Sequence, residues 1–183
     1  MVTTWPDGLP GLGEAAMRVA RRVSDMSDGM IEIKVYPAGT LVPPFESFDA
    51  VANGSADMYH GAEYYWTAKS TAYPFFTAVP FGMTTTETNA WLYYGGGQEL
   101  WDELYADHNL KPFAVGNTGT QMAGWFKKEI NSMEDLQGLN MRFFGLGAEV
   151  MQKLGVSTSL LAGGDIFPAL ERGAIDATEF SMP

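Results

Sequence analysis

Apolar positions recur along the chain in two periods, and the switches between the periods mark out its elements. After a Pro/Gly-rich stretch over 6–13, residues Ala16, Val19, Ala20, Val23 and Met26 repeat at helical spacing, with Arg18, Arg21 and Arg22 elsewhere on the wheel. Gly29 ends that helix. Ile31, Ile33 and Val35 then alternate with Glu32, Lys34 and Tyr36, the period of a half-buried strand. A loop over 37–44 leads into a short helix at 45–53, with Gly54 placed for a left-handed cap. Residues 58–62 read as a strand, and 86–94 and 98–107 as helices separated by Gly95, Gly96 and Gly97. Further strands are predicted at 1–5, 111–116, 121–126, 139–144, 157–161 and 174–180, with helices at 148–154 and 166–172. Strands alternating with helices predict an α/β fold with largely parallel pairing.

One pattern occurs twice. Phe48-x-Ala50-Val51-x-x-Gly54-x-x-Asp57 returns as Phe167-x-Ala169-Leu170-x-x-Gly173-x-x-Asp176, a constant offset of 119 residues. Both are a short helix, a glycine cap and the approach to a buried strand. Helix–glycine–strand joints are common in α/β proteins, so convergence explains the echo as well as two similarly built lobes do. Two such lobes facing each other would form a clamp that closes on a ligand by hinge motion.

The 183 residues carry 11 Lys and Arg against 22 Asp and Glu, a net charge of −11. With 46% hydrophobic and 18% charged residues, the chain can bury a core and is not intrinsically disordered. Its acidity argues against nucleic acid and anionic membranes as partners. No run reaches the about 18 apolar residues of a membrane helix, and no secretory leader is visible. There is no cysteine, which removes disulfides, thiolate metal sites and cysteine nucleophiles together.

Catalytic constellations are poorly supported. His60 and His108 are the only histidines and share no local metal-binding spacing, so each reads as a core or surface residue. Gly145-Leu-Gly147 follows a strand and opens a helix, but Val150 stands where a dinucleotide fingerprint has its third glycine. Only a helix N-terminus favourable to an anion is left of that motif. Arg142 is flanked by Met141, Phe143 and Phe144; it reads either as half of a structural salt bridge or as a bidentate clamp for a carboxylate. Glu179 and Gln121 lie on strand-like runs, either as satisfied strand-end groups or as hard oxygen ligands suited to Na⁺ or Ca²⁺. The aromatic group Tyr64, Tyr65, Trp66, Phe75, Phe76 and Phe81 reads as core before pocket lining.

Four segments together carry a resemblance: Gly119-Thr-Gln-Met-Ala-Gly-Trp-Phe126 with Lys128-Glu-Ile130, Asp135-Leu-Gln-Gly-Leu-Asn-Met-Arg142, Ala162-Gly-Gly-Asp-Ile-Phe-Pro-Ala-Leu170, and Gly173-Ala-Ile-Asp-Ala-Thr-Glu179. They resemble the DctP-type periplasmic solute-binding subunits of TRAP (tripartite ATP-independent periplasmic) transporters, and in particular the branch that takes 2-oxo and 2-hydroxy monocarboxylates. Thr4-Trp-Pro6, Tyr64-Tyr-Trp66 and Phe75-Phe-Thr-Ala-Val-Pro-Phe-Gly82 extend the likeness over the whole length. The resemblance implies a two-lobed, type II-like periplasmic binding protein: a first lobe over 1–117, a second over 118–176 and a crossover at 177–183 returning toward the first. It implies that the C-terminal part is missing here, that the first strand is clipped, and that a signal peptide precedes the natural chain. By the same resemblance, Arg142 binds the substrate carboxylate, with Gln121, Tyr65 and Phe180 around the substrate. Gln121, Glu179 and Phe180 hold a bridging Na⁺ or Ca²⁺, with no organic cofactor. Phe180 stands where close relatives have Trp, a change to pocket shape more than to a backbone-carbonyl ligand. The implied role is a periplasmic receptor, not an enzyme, passing a small acid such as pyruvate or lactate to membrane permease subunits, with a homodimer in the full-length form. The alternatives are a TRAP receptor for another carboxylate or a sugar acid, an α/β enzyme, or a metal- or partner-binding fragment with no transport role.

Overall fold

In the computed structural model, which describes residues 1–181, β1 (Val2–Thr3) lies between two neighbours. On one side it pairs in parallel with β2 (Tyr59–His60), Val2 opposite Tyr59; on the other it meets Tyr36 through a single parallel bridge. Its N–H groups donate alternately to the two sides, Val2 to Met58, Thr3 to Tyr36 and Thr4 to His60. The expected strand at 31–36 therefore keeps its alternation, with Ile33 and Val35 half-buried and Glu32 and Lys34 exposed, but joins the ladder only at its end. The helices α1 (Leu12–Met26), α2 (Ser47–Ala52) and α4 (Gly97–Ala106) belong to the same unit, which comprises Met1–Ala62 and Leu92–Asn117. Its core is aromatic: Phe48 is fully buried against Tyr105 and His108, and the hydroxyls of Tyr59 and Tyr105 meet at 2.6 Å. His60 packs edge-on to Trp5, and its burial pulls the pKa to about 4, as befits a core histidine. The segment 111–116, expected as a strand, forms no ladder among the described residues, and Phe113 and Val115 are exposed.

The second unit comprises Glu63–Trp91 and the residues from Thr118 onward. It holds a four-stranded sheet of β3 (Trp125–Phe126), β4 (Asn140–Arg142), β5 (Ser157–Ser159) and β6 (Ala177–Thr178), in the order β3-β6-β4-β5. The β4–β5 and β4–β6 pairs are parallel, and β3–β6 is antiparallel, the one departure from the expected parallel pairing. The helix α5 (Gly145–Lys153) connects β4 to β5, and α6 (Gly163–Glu171) connects β5 to β6. Met141, Leu136, Leu139, Met151, Val156 and Ala177 form the core on one face of this sheet. The assignment of 63–91 differs from the sequence reading, which gave them to the first lobe. Two 3₁₀ turns, Glu63–Trp66 and Tyr73–Phe76, account for it: Tyr64 stacks on Phe144 at 3.9 Å, tying this excursion to the strand end after β4. The chain returns to the first unit within α3 (Thr85–Tyr94). Residues 177–181 likewise remain with the second unit, as β6 and its continuation, whereas 182 and 183 fall outside the described residues.

The repeated pattern is a shared joint rather than a shared core. Gly54 and Gly173 both adopt left-handed conformations (φ +78° and +76°) after α2 and α6, and Ala50 and Ala169 are both buried. The aromatic positions diverge: Phe48 is 0% exposed and Phe167 is 73% exposed.

Candidate functional site

β4 is three residues long, and its alternation sends Met141 into the core below the sheet and Arg142 to the other face. Both are wholly buried. Arg142 lies at the carboxyl end of β4, between the carboxyl ends of its two parallel neighbours, and its side chain spans them. Nε donates to the carbonyl of Leu161, just past β5, at 3.1 Å. Nη1 donates to the carbonyl of Glu179, just past β6, at 2.5 Å, and lies 3.3 Å from the Glu179 carboxylate. The carboxyl ends of parallel strands are where open α/β sheets place their ligand groups. In this unit a single guanidinium gathers two of them.

Two aromatic rings flank the cation, Phe144 with its centroid 4.5 Å from the guanidinium carbon and Phe180 at 5.3 Å. Phe144 in turn stacks on Tyr64 and meets Tyr65 edge-on at 5.6 Å. A cleft of about 290 Å³ lies alongside, lined by Tyr64, Tyr65, Phe143, Phe144, Ala148 and Leu160 among others. Burial raises the Tyr64 hydroxyl well above its ordinary pKa of 10, with Tyr65 and Glu179 adding to the effect and Arg142 opposing it. Tyr64 therefore senses the charges of this cluster and stays neutral.

Two polar groups in the cluster are left unsatisfied. Of the five N–H donors of Arg142, those on Nη2 have no partner, and neither does Oε1 of Glu179. A buried polar atom without a hydrogen bond costs about 1–3 kcal/mol, more when charged. Burial pushes the Glu179 carboxyl up to about 7, against the opposing pull of Arg142. An unfilled donor on a cation thus lies beside an unfilled acceptor on a carboxyl group.

The residues named from sequence are gathered unevenly. Arg142, Glu179, Phe180 and, through Phe144, Tyr65 form one cluster. Gln121 lies on the segment leading to β3, and its amide N–H donates to Thr118 Oγ1 at 2.6 Å, which leaves the amide oxygen to another partner. A carboxylate oxygen, an amide oxygen and a backbone carbonyl are hard donors that fit Na⁺ or Ca²⁺ and not zinc. No cluster of three His, Asp or Glu exists among the described residues, so a cation here would rely on Glu179 and neutral oxygens. Sequence reasoning noted Tyr64 and Phe144 as aromatic neighbours without assigning them to the site, and missed Leu161. The period-2 rule puts residues 142 and 144 on one strand face and could have found Phe144; nothing local marks Leu161, whose part is played by its backbone. Packing alone accounts for the glycine at 147, because a Cβ there would run into the Phe143 ring.

Comparison with known proteins identifies the family. The sequence profile of the family described as bacterial extracellular solute-binding protein, family 7 (DctP), matches residues 1–183. A monocarboxylate 2-oxoacid-binding periplasmic protein of Nostoc sp. PCC 7120 is 48% identical over the whole chain, which covers 50% of that relative. A TRAP transporter solute-binding protein from Bordetella bronchiseptica RB50, solved as a dimer with copurified calcium and picolinate, superposes with a TM-score of 0.97 at 43% identity, covering 100% of this chain and 55% of that one. Another, from Pseudoalteromonas atlantica T6c with bound sodium and pyruvate, superposes with a TM-score of 0.94 at 45% identity, covering 98% and 55%. These relatives are binding proteins, not enzymes, and the chain spans about half their length. On the match over its whole length, the chain belongs to the DctP family of bacterial extracellular solute-binding proteins.

Proposed function

We propose that this protein is a periplasmic solute receptor of a TRAP transporter that binds a small 2-oxo or 2-hydroxy monocarboxylate, of the pyruvate or lactate kind, and delivers it to membrane permease subunits. The observation that carries the reading is the wholly buried Arg142, whose Nη2 has no partner, beside Glu179, whose Oε1 has none. Arg142 clamps the acid's carboxylate through Nη2, the one part of the guanidinium that the protein leaves unfilled. Phe144 and Phe180 border the charge with apolar surface, which strengthens the pairing by keeping water away. Tyr65 and Tyr64 pack behind Phe144 and set the shape available to the rest of the acid. Glu179, the Gln121 amide oxygen and the Phe180 carbonyl would hold Na⁺ or Ca²⁺, which supplies positive charge in a chain whose net charge is −11. The relatives with bound pyruvate and sodium, or picolinate and calcium, support this choice of ligand class.

A thermal-shift screen of the full-length chain tests the reading. Pyruvate, lactate and longer 2-oxo acids, each with NaCl or CaCl₂, should raise the melting temperature, while dicarboxylates and neutral analogues should not. If none of the monocarboxylates shifts the transition with either cation, the ligand assignment is wrong.

A further inference from the structure

The two unfilled atoms raise a problem of access, which rests on the reading above. A guanidinium grips a carboxylate through two parallel N–H bonds, using either its end, Nη1 with Nη2, or its side, Nε with Nη2. Nη2 is unpartnered and belongs to both edges. The side edge is half taken by the Leu161 carbonyl, a backbone group fixed at the end of β5. The end edge is half taken by Glu179, which places both its carbonyl and its carboxylate on Nη1. The carboxylate is the only one of these occupants that is itself an anion and the only one on a rotatable side chain. It stands where an incoming acid would complete a two-point grip, and it repels that acid.

We propose that Glu179 is an internal competitor for Arg142: in the metal-free protein its carboxylate stands in for the ligand's, and it gives up the guanidinium only when a cation takes its charge. Binding of cation and acid is then coupled through this one side chain, beyond any direct contact between the two. The coupling is reciprocal, so the acid must tighten cation binding by the same factor as the cation tightens the acid. This account differs from one in which Glu179 is simply a ligand. A simple ligand, once removed, leaves acid binding as poor as in metal-free protein. A competitor, once removed, improves it.

Pyruvate is titrated calorimetrically into the full-length chain, in sodium-free buffer with EDTA and in the same buffer with Ca²⁺. The parent should bind pyruvate about tenfold or more weakly in EDTA. Glu179→Gln should bind it about tenfold more tightly than the parent in EDTA, and Ca²⁺ should change that affinity by less than about threefold. Glu179→Ala, which removes the charge without placing a new amide beside Arg142, should show the same gain; circular dichroism confirms the fold of each variant. If both variants in EDTA bind no better than the EDTA-treated parent, while the parent with Ca²⁺ binds normally, the competitor role is overturned and the receptor reading stands. If the parent binds no monocarboxylate with either cation, both fall.

Discussion

His60 gives the most quantitative test of the packing. Its ring meets Trp5 edge-on with centroids 5.0 Å apart, and its Nδ1 is buried with no partner. Desolvation lowers its pKa from 6.5 to about 4. Between these values the unfolded chain binds a proton that the folded chain does not. Stability is therefore fully present above pH 6.5 and is lost as pH falls through about 4. At ~1.36 kcal/mol per pKa unit the whole effect is about 3 kcal/mol, of which about 2 kcal/mol falls between pH 7 and pH 5. Glu179 runs the other way. Its carboxyl is raised by burial from 4.5 to about 7, so its contribution is present below pH 4.5 and lost as pH rises through 7, again about 2 kcal/mol between pH 5 and pH 7. The two slopes nearly cancel in the metal-free parent. His60→Phe, which keeps an aromatic ring against Trp5, should be about 2 kcal/mol more stable at pH 5 than at pH 7, and Glu179→Gln about 2 kcal/mol less stable. Urea unfolding of the EDTA-treated proteins at the two pH values measures this. If His60→Phe and the parent change equally with pH, His60 is not held neutral by burial and the reasoning fails.

Other perturbations separate the parts of the second unit. Gly124→Ala should cost about 3 kcal/mol or more and abolish β3–β6 pairing, because at φ +149° its Cβ would stand 2.5 Å from the Thr178 carbonyl oxygen; thermal melts report the loss. Phe144→Ala removes the ring over Arg142 and the partner of Tyr64, and should lower stability by about 3 kcal/mol while opening the guanidinium to water, read by urea unfolding and by weaker pyruvate binding. Phe180→Trp should redistribute affinity among 2-oxo acids of different chain length by about 10-fold or more while leaving cation dependence in place, as competition titrations would show.

The alternation of helices and strands was legible in the sequence because period 3.6 and period 2 survive wherever one face is buried, as in α1 and in the run ending at Arg142. Strand extents were not, since pairing needs a neighbour. Residues 111–116 have the pattern of a strand and no ladder among the described residues, whereas 174–180 pairs only at Ala177 and Thr178. The two 3₁₀ turns over 63–76 escaped because three- and four-residue turns leave no periodic trace, and with them went the packing of that segment on Phe144. Arg142 could be singled out by its chemistry, a cation among apolar neighbours in an acidic chain. Its partners could not, because two of them are backbone carbonyls that any residue could supply. Glu179 stood out as a charge at a strand position that would otherwise be apolar, yet only the fold shows that it faces Arg142 with one oxygen and leaves the other unfilled.

The central claim is that Arg142 holds the carboxylate of a small acid. Calorimetric titration of pyruvate into the full-length chain with Ca²⁺, for the parent and for Arg142→Ala, tests it most directly. Losing a buried, charge-assisted pair costs about 2–5 kcal/mol, so the variant should bind at least about 30-fold more weakly, with its fold intact by circular dichroism. An Arg142→Ala protein that binds pyruvate within about threefold of the parent would contradict the account.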